Sequence, residues 1–183
     1  ASYSSAYATR GGAASGEGNV GAYGYSSSSN GCYTGGGGGG AGAAGSNGTV
    51  CAGGNGGIGS ALSWLTPTVA DRLGVGETSG TSVYFAGGGS GGSDVPTSGT
   101  SAGSGGVGGG GDAFAGATST GGPGQANTGG GGAGGTGGAD DDGHGGDGGS
   151  GVVLVRYAVA TSASECSPTT TTSGDYTIVT FDQ

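Results

Sequence analysis

The stretch from Gly129 to Tyr157, GGGGAGGTGGADDDGHGGDGGSGVVLVRY, decides the fold. Counted in threes, Gly131, Gly134 and Gly137 share one edge, Gly132, Gly135 and Gly138 a second, and Ala133, Thr136 and Ala139 the third. After Asp140, Asp141 and Asp142 the triplets resume: Gly143, Gly146 and Gly149, then Gly145, Gly148 and Gly151, with His144, Asp147 and Ser150 on the remaining edge. Three residues per turn is the period of a polyglycine-II helix, which is left-handed and has no internal hydrogen bonds. Two glycine edges are free to touch neighbours, so the spacing predicts two short rods joined at an acidic tip.

Composition sets the opposing reading. Of 183 residues 56 are Gly, hydrophobic residues make up 31%, charged residues 8%, and the formal net charge is -9. Length points to one domain. Without a collagen period, so much glycine normally means a disordered chain, because too little apolar surface is available to offset chain entropy. Fixing each backbone residue costs about 1 to 2 kcal/mol. A net hydrogen bond returns about 0.5 to 1.5 kcal/mol and a Cα–H···O contact about 0.5 to 1. An isolated glycine rod therefore melts, whereas a bundle that pairs nearly every backbone group between rods breaks even, and glycine alone lets the axes approach closely.

The same plan runs along the chain. Glycine runs at 35–40, 53–59, 87–92, 103–111, 129–138 and 143–151 alternate with Ser, Thr, Asn and Asp segments that read as loops at rod ends. The expected organisation is a Tyr/Ser-rich segment over 1–34, a polyglycine-II bundle over 35–151 with a loop insertion at 60–86, and C-terminal β-strands over 152–183. The fold class is thus mostly irregular/β, with little or no α-helix. Within the insertion, a helical turn near Val69 to Leu73 and a strand at Ser82 to Phe85 are expected. Strands are also expected at Val152 to Val159 and Tyr176 to Phe181, separated by the polar linker TSASECSPTTTTSGD.

The order of these segments carries a resemblance. GCYTGGGGGGAGAAGSNGT, VYFAGGGSGG, NTGGGGAGGTGG and GGDGGSGVVLVRYAV, followed by SGDYTIVTF, are similar to the glycine-rich region of bacteriophage tail-fibre, adhesin and related virion structural proteins, over Gly31 to Phe181. That resemblance implies a rigid core of packed polyglycine helices whose tip loops touch the host surface. Receptor-binding candidates are then Trp64, Arg72 and Tyr84 in the insertion, Phe114 in the DAFAGATSTGGPGQAN loop, and His144 at the acidic tip. For Trp64 and Phe114, a role as small plugs at the rod ends reads equally well.

Other chemistries find less support. His144 lies beside Asp142 and Asp147 with no nucleophile elbow, so the ordinary reading is a solvated side chain and the expectation is no enzyme. The chain contains no Lys, which removes a P-loop, and no cofactor is expected. Asp140, Asp142 and Asp147 are hard oxygen ligands of the kind Ca²⁺ prefers, but their spacing fits neither the EF-hand nor the calcium-binding nonapeptide repeat. Solvated turn residues are the leading reading there and a surface cation the lesser one. Cys32, Cys51 and Cys166 allow at most one internal disulfide; Cys32 with Cys51 is the favoured pair, and a free thiol is as ordinary a reading.

Arg10, Arg72 and Arg156 are the only cations, so no nucleic-acid partner is expected, and the apolar run Val152 to Val155 is too short to insert in a membrane. A chain beginning at Ala1 reads as a processed product or a fragment. The expected partners are a host cell-surface receptor, other virion proteins or copies of the chain itself, in a virion or extracellular setting. A self-assembling subunit of a shell, fibre or filament is the alternative. A flat ice-binding-type face is a third reading, supported only by Ala133, Thr136 and Ala139.

Overall fold

In a computed structural model, residues 6–10, 16, 18–27, 31–94, 101–114, 120–137, 143–156, 169–173 and 176–180 are described. The chain divides into two compact units, Ala1–Val152 and Val153–Gln183.

The first unit is built on rods, and their backbone bonds step by three residues. Gly35, Gly38 and Ala41 donate to the carbonyls of Gly92, Gly89 and Ala86 at 2.8, 2.8 and 2.9 Å, so 35–41 and 86–92 run antiparallel. Gly54 and Gly57 donate to Gly35 and Gly38, both at 2.9 Å, making 53–59 parallel to 35–41. Gly53, Gly56 and Gly59 donate in turn to Ser101, Ser104 and Val107. This step of three residues is the signature of the polyglycine-II helix. The architecture is mostly irregular and β with little α-helix, as the glycine spacing predicts.

The centre is the 86–92 rod, whose residues 87–92 are all buried. Among the described residues, five rods surround it. Its carbonyls accept from 35–41, from Gly106 and Gly103, and from Gly131 and Gly134; its N–H groups donate to Gly57 and Gly54 of 53–59 and, from Ser90, to Gly111. Only glycine permits this spacing. A Cβ on Gly37 would overlap the Asn55 carbonyl oxygen, and one on Gly56 the Gly88 carbonyl oxygen, both backbone atoms with nowhere to go.

Successive rods alternate in direction, which sorts the connections to two ends. At one end lie the turns at 41–43, 107–109 and 126–129, the 60–86 insertion, and the close of the 143–150 rod. The other end collects 31–34, 48–52, 93–94, 101–102, 113–114, 120 and the start of the 143–150 rod. It also carries a sheet ordered β1-β2-β3-β7, formed by Ala6–Arg10, Tyr23–Ser27, Cys32–Thr34 and Ser93–Asp94. Within the 1–34 segment, Asn19 and Ala22 add an edge rod by donating to Gly40 and Gly37 at 3.1 and 2.9 Å. A disulfide joins Cys32 to Cys51 with Cα atoms 5.2 Å apart, pinning β3 to the turn that precedes 53–59.

The insertion is folded conventionally. Strands β4 (Ser60–Ala61), β5 (Glu77–Ser79) and β6 (Ser82–Phe85) form an antiparallel sheet ordered β4-β6-β5, and helix α1 spans Pro67–Leu73. Proline begins α1 and Gly74, at φ 64°, ends it in the left-handed conformation that glycine tolerates. Among the described residues of the second unit, β8 (Thr169–Ser173) pairs antiparallel with β9 (Tyr176–Thr180), in register Thr171↔Ile178.

Three sequence expectations change here. Residues 152–156 form no strand, and 157–159 lie outside the described residues. The partner of β9 comes from the threonine run of the supposed linker, because Thr is itself a good strand former. The Ala/Thr edge of 130–137 faces inward: Ala133 is 2% and Thr136 1% exposed, so it offers no flat outer face.

Candidate functional site

A fold held by backbone bonds leaves side chains to its ends and open edges. Trp64, Arg72 and Tyr84 all belong to the insertion and therefore share one end of the bundle. Within the insertion Leu65, Ala70 and Val83 are buried, Val83 with no exposure at all. Trp64 itself keeps 38% exposure. Arg72 is exposed in the last turn of α1, Tyr84 is half-buried on β6, and Val69 and Leu73, one helical turn apart, are exposed as well.

The insertion is fastened to the rods by polar residues that the sequence did not mark. Oε2 of Glu77 accepts from the N–H groups of Gly108 and Gly109, each at 2.7 Å, where φ values of 107° and 89° turn the chain between two rods. Nδ2 of Asn127 donates to the Gly74 carbonyl at 3.1 Å, the N–H of Gly76 donates to the Asn127 carbonyl at 3.0 Å, and Ala86 donates to Thr128 at 2.8 Å. Their only signal in the sequence is polarity beside a glycine run, which many surface residues share.

Phe114 and His144 fall at the opposite end. Phe114 is 54% exposed next to buried Ala113. Residues 115–119 of its loop lie outside the described residues. His144 heads the 143–150 rod with an exposed side chain, while its carbonyl accepts from Gly121 at 2.9 Å. Asp147 is exposed on the same edge one turn on, and its carbonyl accepts from Gly124. Asp140 and Asp142 lie outside the described residues. Among the described residues, no group of three or more His, Cys, Asp or Glu is placed to hold a metal ion.

The five receptor-binding candidates therefore form two sets, not one site. What joins them is the bundle, a glycine lattice that carries few side chains and fixes the positions of its own ends. Its family follows from the match: the model for the glycine-rich domain covers residues 1–158, and the chain belongs to that family. No curated protein and no solved structure matches it.

Proposed function

We propose that this chain is a non-enzymatic bacteriophage virion structural protein of the tail-fibre or adhesin type, with the bundle as a rigid scaffold that presents loops to a host cell-surface receptor. The observation that carries this reading is the insertion. Leu65, Ala70 and Val83 are buried there, while Trp64 at 38% exposure and Val69, Arg72 and Leu73 of the same insertion keep surface in the open. A partly exposed aromatic and an exposed cation in one insertion, on a frame stiffened by backbone bonds, suit adhesion to a protein or polysaccharide surface. Resemblance to virion glycine regions supplies the setting, which is the virion or the extracellular medium. No cofactor enters this reading.

Binding of the purified protein to bacterial cells tests it. Saturable binding that falls about tenfold or more in Trp64→Ala, with the fold retained, supports the reading. A second reading, a self-assembling subunit of a shell, fibre or filament, is favoured by the uncovered apolar run after the last rod, where Val153 is 88% and Val155 76% exposed. Absence of binding to any host, together with concentration-dependent assembly, would select that second reading.

A further inference from the structure

In a hexagonal array of threefold rods each rod has six neighbours, three receiving its N–H rows and three facing its C=O rows. Among the described residues the central 86–92 rod has five. Where the sixth would lie there is a groove of about 590 Å³, walled by 35–39 and 131–135, floored by 88–92 and bounded at one end by Tyr25 and Tyr33.

The groove's walls are chemically unfinished in a regular way. Among the described residues, no hydrogen bond reaches the backbone of Gly36, Gly39, Gly132 or Gly135, and the N–H groups of Gly89 and Gly92 have no acceptor. These are one row per rod, repeating every three residues. On 35–41, the N–H groups of 35 and 38 face the central rod and the carbonyls of 37 and 40 face the edge rod, so threefold symmetry sends the carbonyls of Gly36 and Gly39 into the groove. The same argument on 130–137 sends the carbonyls of Gly132 and Gly135 there. The groove thus offers one row of donors between two rows of acceptors, each with a repeat of about 9 Å along about 15 Å.

A second observation concerns the wall residues whose side chains would point inward. A Cβ on Gly38 would meet nothing closer than 3.4 Å and one on Gly35 nothing closer than 3.3 Å. The fold has room for alanine at Gly38, yet the chain keeps glycine and the groove stays clear. Elsewhere open edges carry side chains, such as Asn55 and Ile58, both exposed and three residues apart. A Cβ on Gly145 would have similar room, meeting the Ala133 carbonyl oxygen at 3.5 Å, but Gly145 does not line the groove.

We propose that this groove is a docking site for a threefold-extended peptide segment of another chain, with glycine at every third residue. Such a segment accepts from the N–H groups of Gly89 and Gly92 and donates to the carbonyls of Gly36, Gly39, Gly132 and Gly135, completing the shell. One residue in three would aim its Cβ at the central rod, so that residue must be glycine; the other two face outward or between rods. Among the described residues every glycine run already serves as a rod of the bundle, and the occupant proposed is a segment supplied in trans.

The experiment is amide hydrogen exchange and NMR on the intact protein with a synthetic peptide of repeated Gly-Gly-Ser triplets at about millimolar concentration. Exchange at Gly89 and Gly92 should slow about tenfold or more, and a peptide of Ala-Ala-Ser triplets should leave it unchanged. Gly38→Leu should abolish the effect and Gly38→Ala weaken it severalfold, each with the remaining bundle amides still protected. Unchanged exchange at Gly89 and Gly92, equal protection by the Ala-Ala-Ser peptide, or full protection in folded Gly38→Leu would overturn the proposal.

Discussion

The rod bundle and the 60–86 insertion solve the same problem by opposite means. In the insertion, order comes from side chains: Val83, Leu65 and Ala70 are buried together, and a helix and a sheet pair their own backbone. In the bundle, order comes from the absence of side chains: glycine brings rods close enough for main chain to pair with main chain. The first arrangement depends on what is packed, the second on what is left out. Substitutions should therefore act in opposite senses in the two regions.

Gly37→Ala is the sharpest attempt to break the bundle. The added methyl group overlaps backbone at Asn55 and cannot be relieved by a rotamer, so a loss of about 3 kcal/mol or more is expected, read as a lower denaturation midpoint. Reduction of the Cys32–Cys51 bond, or the double Cys→Ser variant, should cost about 3 kcal/mol by freeing a 19-residue separation in the unfolded chain. Val83→Ala removes methyl groups instead of adding one, and should cost about 2 kcal/mol. Hydrogen exchange should show that loss confined to the insertion, with the amides of 86–92 still protected; equal loosening of both regions would show that the two share one core. The smallest effect is expected at Gly38→Ala, within about 0.5 kcal/mol, because its Cβ has room and the unfolded chain loses freedom. Adjacent glycines with opposite sensitivities would show that lattice position, more than composition, governs this region.

The bundle was legible because its rule is periodic: the triplets from Gly131 to Gly149 already specify three edges per rod. Which edge turns inward was not legible, since Ala133 and Thr136 are small enough to be buried or exposed, and here they are buried. In the insertion, Pro67 and Gly74 bracket a helix and SVYF reads as a strand, so both elements could be anticipated. The run at 152–156 misled because β-branched residues indicate a strand only where a partner is at hand, and the pairing went to Thr169–Ser173. Trp64, Arg72 and Tyr84 could be grouped from their shared segment. Placing Phe114 and His144 at the other end requires counting rod reversals, and a local motif does not encode that count. Glu77 escaped notice because its role depends on a turn 31 residues away.

The alternation of rod direction has a consequence for how such a molecule can change. Each out-and-back pair of rods widens the lattice without lengthening it and returns the chain to the end it left. The bonds that hold the pair recognise only backbone, so the loops at either end are free to be exchanged or enlarged without refitting a core. A lineage built this way can diversify what it displays while its frame stays constant, because the interior has almost no side chains to co-adapt.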